Sequence, residues 1–425
     1  MAGDGRRLTL GLPRMRKEAG ERRDFLPPFV REVAPHAARV VVENGIGSGM
    51  GVRQDEYQGP GVVVGTHEEA YRQDVVLVVR VPGPEELRLL RPGATLVCML
   101  HFPTRPGRVS LLRRLDLEAV SLDSIVDDEG RRLVEDPEAV AWNGLDAAFG
   151  ALEHTHPRFW GPRRQPIRVT ILGAGAVGRE AVEAATKCGS LARFDRLEAT
   201  ALPGVEVVTV GRNLTRVGAY MRDRLRVTDL LVDATARHEP GQPVVPNTWI
   251  GLLPRHAVVC DLAVDGYELD ADEPTVRGLE GIPAGNLDRW VIETDDPLWD
   301  ATIPSGVDSR NRRVVVSCYS WPGVHPRACM QRYDTQLTPL LAILLDRGGV
   351  GGLRPLRGPQ DRALLRASLR SWPSREDVRR SATPRSGSPI LRRRAARRPA
   401  RSPNRSLTQS AGSRPATARQ QILGS

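Results

Sequence analysis

The chain contains 425 residues, 40% of them hydrophobic, which predicts a sizeable core divided between about two domains. No apolar run approaches the roughly 20 residues that cross a bilayer. Residues 1–30 also lack the apolar segment of a secretory signal, so we expect a cytoplasmic protein with no membrane partner. The net charge of +10 belongs to residues 381–425, which contain ten arginines and no acidic residue. Because the rest of the chain is neutral, no specific nucleic-acid partner is expected.

The five cysteines show no Cys-x-x-Cys pair and no zinc-like spacing with histidine. Four of them lie in apolar stretches, where cysteine is usually a small buried hydrophobic residue. The sequence therefore predicts neither a disulfide framework nor a metal site.

The first region, which runs to about Val140, alternates short apolar runs with turns rich in Gly and Pro. Ala38–Glu43 and Val75–Arg80 are clear examples and predict strands of βα units. Apolar residues then recur at helical spacing from Glu138 to Glu153, which predicts one long helix. The Pro-rich stretch Pro157–Pro166 predicts a domain joint.

The second region contains further apolar runs, separated by stretches long enough for crossover helices. These runs are Ile167–Leu172, Val205–Val210, Leu230–Ala234 and Ala257–Val264. They predict a parallel, doubly wound α/β sheet. The third region is helical again at Cys329–Leu345 and Asp361–Trp372, and the Arg-, Ser- and Pro-rich tail beyond Ser381 predicts disorder.

A Gly-x-Gly-x-x-Gly motif directly follows the predicted strand Ile167–Leu172 and opens a helical stretch at Arg179. That context is typical of the dinucleotide-binding fingerprint, in which the helix N-terminus and the loop amides hold a pyrophosphate. The predicted cofactor-binding residues are Gly173, Ala174, Gly175, Ala176, Val177 and Gly178. The alternative is a purely structural turn of an α/β domain.

The choice between NAD and NADP depends on the end of the next strand, Val205–Val210. An acidic residue usually stands there and binds the adenosine ribose, but this chain has Gly211 and Arg212. An arginine at that place can accommodate a 2′-phosphate, so the predicted cofactor is NAD or NADP, with Arg212 a candidate contact. The alternative is that Arg212 simply faces solvent.

Short motifs along residues 8–350 match one known family in order and spacing. The segment Glu18–Arg23 precedes two prolines, Val42–Gly51 contains Val-Glu-x-Gly-x-Gly, and Arg80–Glu86 resembles Lys-x-Pro-x-Pro-Glu-Glu. Leu-His at His101, Asp-x-Ala-x-Asp at Asp261–Asp265 and a Pro-Gly-x-x-Pro turn at Trp321–Pro326 follow. The chain thus resembles the alanine dehydrogenase and pyridine nucleotide transhydrogenase N-terminal family, and it is also similar to lysine-forming saccharopine dehydrogenases.

The resemblance implies two Rossmann-like, doubly wound α/β domains, with a substrate domain built from both ends of the chain. We expect the first part of the substrate domain at residues 1–150 and the NAD(P)-binding domain at 151–302. The chain then returns to the substrate domain at 303–375, and 381–425 form a disordered Arg-rich tail. The implied partner is a small amino-acid or 2-oxo-acid substrate, and we expect a homo-oligomer.

The resemblance also implies roles for individual residues. Arg23 would bind the substrate carboxylate, for which its planar guanidinium suits a two-pronged contact. His101 would be the general acid and base, since an imidazole titrates near neutral pH. Asp265 would lie near the nicotinamide. The alternatives are a surface arginine, a structural histidine and a turn carboxylate.

One position departs from the family pattern: Arg80 stands where the family has a substrate-binding lysine. Arginine can bind a carbonyl or carboxylate oxygen, but it does not lose its proton in a protein. We therefore expect Arg80 to bind substrate and to contribute to catalysis without titrating. The predicted function is an NAD(P)-dependent oxidoreductase that acts on the CH–NH2 or CH–NH group of an amino acid, with alanine dehydrogenase as the nearest pattern. The alternatives are an opine reductase similar to saccharopine dehydrogenase and a non-catalytic dinucleotide-binding protein.

Overall fold

The computed structural model describes residues 7–16, 18–236, 241–263, 266–269 and 275–373. The tail 381–425, for which the sequence predicts disorder, lies outside the described residues. No helix in the described ranges has the length and apolar character needed to span a membrane.

The first sheet has six parallel strands in the order β3-β2-β1-β4-β5-β6. With elements numbered in chain order, its strands are β1 (Thr9–Leu12), β2 (Arg39–Glu43), β3 (Val62–Gly65), β4 (Val75–Arg80), β5 (Thr95–Met99) and β6 (Glu118–Ser121). The helices of this region are α1 (Pro27–Val33), α2 (His67–Tyr71), α3 (Pro84–Leu89), α4 (Pro106–Arg114) and α5 (Pro137–Thr155). The strand order reverses between β1 and β4, where a doubly wound sheet opens a crevice for ligands.

Strand β4 shows why the first sheet is covered on both faces. Its residues Val75, Leu77 and Val79 point into one core, which also contains α1 and residues near the C-terminal end of the chain. Val76 and Val78 point into the other core, with α3 and α4. A strand buried on both faces needs a continuous apolar run, which explains the Val-rich sequence that predicted it.

The second sheet also has six strands, in the order β11-β12-β10-β9-β7-β8. They are β7 (Ile167–Leu172), β8 (Val205–Val210), β9 (Leu230–Asp233), β10 (Val258–Asp261), β11 (Val291–Ile292) and β12 (Val314–Ser317). Only β11 pairs antiparallel within the described strands of this sheet. The remaining helices are α6 (Ala176–Thr186), α7 (Leu191–Ala199), α8 (Arg212–Thr215), α9 (Gly218–Leu225), α10 (Asn247–Ile250), α11 (Leu298–Ala301), α12 (Pro326–Asp346) and α13 (Pro359–Ala367).

The predicted fold class, two doubly wound α/β halves, is confirmed by these two sheets. The predicted boundaries at residues 150 and 302 need correction, because they separate α5 and β12 from the half in which both lie. Helix α5 packs into the core beneath β7, and β12 pairs with β10. The second half therefore begins near Pro137 and continues past Ser317, while α12 and α13 return to the core of the first sheet.

A buried carboxyl group, Asp334 on α12, lies in the first core. Its Oδ2 accepts a hydrogen bond from the Leu26 N–H at 3.0 Å, whereas Oδ1 is buried and has no hydrogen-bond partner in the described part of the chain. Burial raises the pKa of Asp334 to about 8. The folded state therefore favours the protonated acid.

We expect Asp334 to make the stability of the protein depend on pH. Its folded-state pKa lies above the value of roughly 3.9 in an unfolded chain, so its contribution is complete at low pH and is lost as the pH rises through about 8. Asp334→Asn, which is neutral at every pH, should raise the melting temperature at pH 8.5 but change it little at pH 5. Asp195→Asn, at an exposed position of α7, is the control. Equal pH dependence of the wild-type and Asp334→Asn melting temperatures would contradict this assignment.

Candidate active site

The glycine-rich loop connects β7 to α6, and two of its glycines are required by close packing. Gly173 has φ +102°, and a Cβ there would lie 2.4 Å from the Ala234 carbonyl oxygen. A Cβ on Gly178 would lie 2.2 Å from the Gly173 carbonyl oxygen. A side chain at either position would clash with the backbone, so the turn that follows β7 requires glycine at both.

Gly175 is different, because a Cβ there would meet no atom of the described protein within 4 Å. It is the N-cap of α6, and its neighbour Ala174 is exposed as well. The backbone amides of Ala176 and Val177, the first residues of α6, lie next to this open space. An open approach to a helix N-terminus fits the pyrophosphate of a dinucleotide, so these residues suit the predicted cofactor.

Arg212 lies beside this loop, at the beginning of α8. The last residue of β8, Val210, pairs with Leu172 of β7 and accepts a hydrogen bond from the Gly173 N–H at 3.0 Å. Arg212 follows two residues later, and its side chain is exposed. Its place matches the adenosine end of the predicted site.

Arg80 ends β4 and faces the second half of the chain. Its Nη1 donates to the Tyr319 carbonyl oxygen at 3.3 Å, and its guanidinium lies 4.9 Å from the centroid of the Tyr319 ring. Its Nη2 lies 3.4 Å from the Glu18 carboxylate. The buried Nε has no hydrogen-bond partner in the described ranges. Arg80 is thus held in place and retains a donor for another oxygen.

A small cavity opens at the switch point between β1 and β4. Three arginines and three glutamates supply its charged lining: Arg14, Arg16, Arg80, Glu18, Glu21 and Glu86. Arg14 is already ion-paired, since its Nε lies 3.5 Å from the buried Asp24 carboxylate. Arg80 therefore provides the cavity with a guanidinium that has an unpaired donor, and charge-assisted hydrogen bonds from such a group suit an anionic oxygen.

Arg23 is buried and paired with Glu21, and its role as the residue that binds the substrate carboxylate stays a prediction. Its side chain is 1% exposed, and its Nε and Nη2 donate to the two oxygens of Glu21 at 2.8 and 2.6 Å. Burial opposes the charges, but the attraction and hydrogen bonds within the pair keep the pKa of Glu21 below its usual value and that of Arg23 above it. Glu21 lies two residues before Arg23 in the sequence, and it also lines the cavity.

His101 follows β5, two residues beyond Met99, which pairs with Arg80 across the two strands. Its φ of +50° is unusual for a residue with a side chain, and such strain is often found at functional sites. The His101 N–H donates to Asp123 Oδ1 at 3.1 Å, and its Nδ1 lies 3.7 Å from Asp123 Oδ2. His101 therefore lies at the carboxyl edge of the sheet, just after the strand next to the one that Arg80 ends.

Asp123 is a site residue that the sequence analysis missed. It follows β6 and accepts a hydrogen bond from the Ser121 hydroxyl at 2.7 Å. Burial opposes ionisation, but the His101 charge and the hydrogen bonds keep the pKa of Asp123 below its usual value. Its position just after the strand next to β5 was the available signal, because parallel strands end at a common edge.

The two halves meet next to His101. Arg105 is buried, and its Nε lies 2.9 Å from Glu268, while Arg108 donates to the same carboxylate at 2.7 Å. Arg105 also binds the Gly266 carbonyl oxygen. Because β5 and β10 both end nearby, these contacts bring the carboxyl edges of the two sheets together. Asp265, predicted to lie near the nicotinamide, falls outside the described residues.

Part of the first half of the chain matches a known family model. Residues 11–135 match the model described as "Alanine dehydrogenase/PNT, N-terminal domain". Over these residues the chain is similar to that domain. The resemblance seen in the motifs around Arg23, Arg80 and His101 is confirmed, because all three lie within the matched residues.

Relatives of the alanine dehydrogenase/PNT N-terminal domain extend the similarity into the second half. The alanine dehydrogenase of Bacillus subtilis (strain 168) is 24% identical over 331 residues, which are 72% of this chain and 87% of that protein. The NAD(P) transhydrogenase subunit alpha of Haemophilus influenzae is 24% identical over 195 residues, 44% of this chain and 38% of the subunit. A solved L-alanine dehydrogenase superposes with a TM-score of 0.61 at 20% identity and covers 85% of this chain and 94% of its own, which shows the shared fold. NAD(P) is the cofactor of the alanine dehydrogenase and transhydrogenase family.

The open space at Gly175 gives a direct test of the cofactor site. We expect Gly175→Val to fold normally, since its Cβ meets no protein atom, but to lose cofactor affinity by tenfold or more (~1.4 kcal/mol), because the side chain fills the space of the pyrophosphate. Calorimetric titration measures the affinity. Gly204→Val is the control, since a Cβ there also meets nothing within 4 Å. Unchanged affinity in Gly175→Val would remove the loop from the cofactor site.

Proposed function

We propose that this chain is an NAD(P)-dependent oxidoreductase of the alanine dehydrogenase type, acting on the CH–NH2 or CH–NH group of an amino acid. One observation carries the proposal: Arg80 ends β4 and His101 follows the adjacent strand β5 by two residues, at the edge that meets the half with the glycine-rich loop. This edge thus presents a cationic group that can bind an oxygen and an imidazole that can transfer a proton. The cytoplasmic location and the homo-oligomer remain predictions.

Arg80 provides the substrate contact in this proposal. Its unsatisfied Nε and its contacts to Glu18 and Tyr319 orient the guanidinium toward an oxygen of the substrate. Charge-assisted hydrogen bonds of this kind are roughly twice as strong as neutral ones and fix the direction of the bound carboxylate or carbonyl. Arg23 contributes indirectly, because its ion pair holds Glu21 at the cavity wall.

His101 moves the proton. We assign proton exchange with the substrate nitrogen or carbinolamine oxygen to its imidazole, whose Nδ1 lies 3.7 Å from Asp123 Oδ2. The nearby carboxylate stabilises the imidazolium that forms when the substrate amine loses its proton. The nicotinamide cofactor, when bound, supplies the hydride acceptor for the substrate α-carbon. Because arginine stays protonated, His101 is the titrating group of the pair.

A second candidate function is an opine-type reduction, similar to saccharopine dehydrogenase. The observation in its favour is that two guanidinium groups, those of Arg14 and Arg80, line the same cavity. A substrate with two carboxylates could engage both guanidinium groups. Alanine would use only one of them.

A spectrophotometric screen tests the proposed function. Amino acids, opines and 2-oxo acids with ammonium or a second amino acid are offered with NAD and with NADP, and the absorbance of the reduced nicotinamide is followed. We expect turnover of at least one amino acid, and faster turnover of dicarboxylic opines would favour the second candidate. We also expect NADP to be accepted, with its preference reduced in Arg212→Ala. Cofactor binding without turnover of any substrate would instead indicate the non-catalytic alternative.

The proton-transfer assignment makes a prediction about rate. His101→Ala should lower turnover by about 10² to 10⁴, the usual contribution of a general acid or base. Asp123→Asn keeps a hydrogen-bond acceptor for the His101 N–H but removes the charge, so the neutral-range limb of the pH–rate profile should move to lower pH. His154→Ala, on the exposed end of α5, is the control. A profile unchanged in both site variants would place proton transfer elsewhere.

The arginine at position 80 can be tested against the family lysine. We expect Arg80→Lys to raise the substrate KM about tenfold (~1.4 kcal/mol), because lysine loses the two-pronged geometry and the planar contact with Tyr319. Steady-state kinetics on the substrate found by the screen give the value, with Arg88→Lys on exposed α3 as the control. Equal or higher activity in Arg80→Lys would show that lysine performs the same task at this position.

A further inference from the structure

Three potential metal ligands meet at the amino edge of the second sheet, the edge opposite the candidate active site. His156 follows α5, Asp229 directly precedes β9, and His256 lies two residues before β10. One ligand atom from each residue lies within 4.8 Å of the others. The three positions are 73 and 27 residues apart in the sequence, so no motif spacing indicates the cluster.

The contacts inside this cluster are short. His256 Nε2 lies 2.8 Å from Asp229 Oδ1, and the His156 and His256 rings are 4.5 Å apart between centroids, at an angle of 76°. The side chains of His256 and Asp229 are 26% and 15% exposed. The cluster is thus partly shielded from water yet open to an entering ion.

Other contacts hold the ligands in place. Asp229 Oδ2 accepts from the Arg168 N–H at 2.8 Å, which leaves Oδ1 directed at His256. The Thr155 hydroxyl donates to the His256 carbonyl oxygen at 2.8 Å. His156 Nδ1 accepts from the Arg158 N–H at 3.2 Å, which fixes the orientation of the ring. Such surrounding contacts orient the ligands of metal sites.

We propose that His156, Asp229 and His256 form a binding site for a divalent transition-metal ion, with zinc as the best fit. Two imidazoles and one carboxylate suit zinc, whereas calcium and magnesium prefer oxygen ligands. Zinc bonds of about 2.0–2.2 Å require the ligand atoms to move closer together, and a water molecule completes the coordination. The ion would join the end of α5 to the starts of β9 and β10.

Metal binding to the full-length chain, prepared without a histidine tag, tests this proposal. After treatment with a chelator, the protein is titrated with Zn²⁺ in competition with a chromophoric chelator. We expect one equivalent to bind and to raise the melting temperature by roughly 2–5 °C at saturating zinc. His256→Ala should weaken binding about 100-fold or more, and His156→Asn should weaken it as well.

His154→Ala removes an exposed histidine of the same helix end and is the matched control for zinc affinity. Titration of each variant with the nicotinamide cofactor verifies that it is folded, and we expect no loss there because the cluster lies at the opposite edge of the sheet. Absence of stoichiometric zinc binding by the wild-type chain would overturn the proposal. The proposal would also be overturned if the folded His156→Asn and His256→Ala variants bound zinc with the same affinity as the wild type.

Discussion

Parallel strands deliver all their carboxyl ends to one edge of a sheet, and in this chain two such edges meet. Specific contacts join the two edges: Arg80 lies against Tyr319, and Arg105 binds Glu268 and Gly266. Every candidate active-site group described in the first half depends on this arrangement. If the two edges were apart, Arg80 and His101 would lie at an exposed edge of the first sheet, away from the half that contains the glycine-rich loop.

The charged side chains that line the cleft determine which ligands it can bind. Three arginines and three glutamates line the cavity at the switch point, so the cationic groups are distributed between internal ion pairs and a remaining capacity for an anion. Glu21 accepts from Arg23 Nε and Nη2, and Arg14 Nε lies 3.5 Å from the Asp24 carboxylate, whereas Arg80 retains an unpaired Nε. In the proposed function Arg80 therefore binds the substrate oxygen, and because its charge is permanent, proton transfer is assigned to His101.

Local features of the sequence predicted the fold well, because each depends on neighbouring residues alone. The predicted strand Val75–Arg80 coincides with β4, and the predicted helix Glu138–Glu153 lies within α5. The glycine-rich loop has the φ angle and close contacts that its motif implied. The domain boundary was misplaced, since an amphipathic helix such as α5 does not show in its sequence which of two sheets it will cover.

The site was less predictable, because its partners are brought together by tertiary structure. The sequence indicated His101 and Arg80, but Asp123 joins His101 through a separate strand, and the pairing of Arg23 with Glu21 depends on both being buried. The zinc ligands belong to three distant segments, and a search by cysteine spacing cannot detect them. Long-range contacts of this kind have no signature in a single sequence.

Hydrogen exchange measured by mass spectrometry tests the two-edged cleft most directly. Reduced cofactor alone should slow exchange in residues 173–178, and a 2-oxo acid added with it should also slow exchange after β4 and β5, in residues 80–83 and 101–105. Each addition protects the edge that it contacts, because bound backbone amides open less often. Protection of the glycine-rich loop with no change near Arg80 and His101, at any concentration of a substrate that is turned over, would contradict a shared cleft between the two sheets.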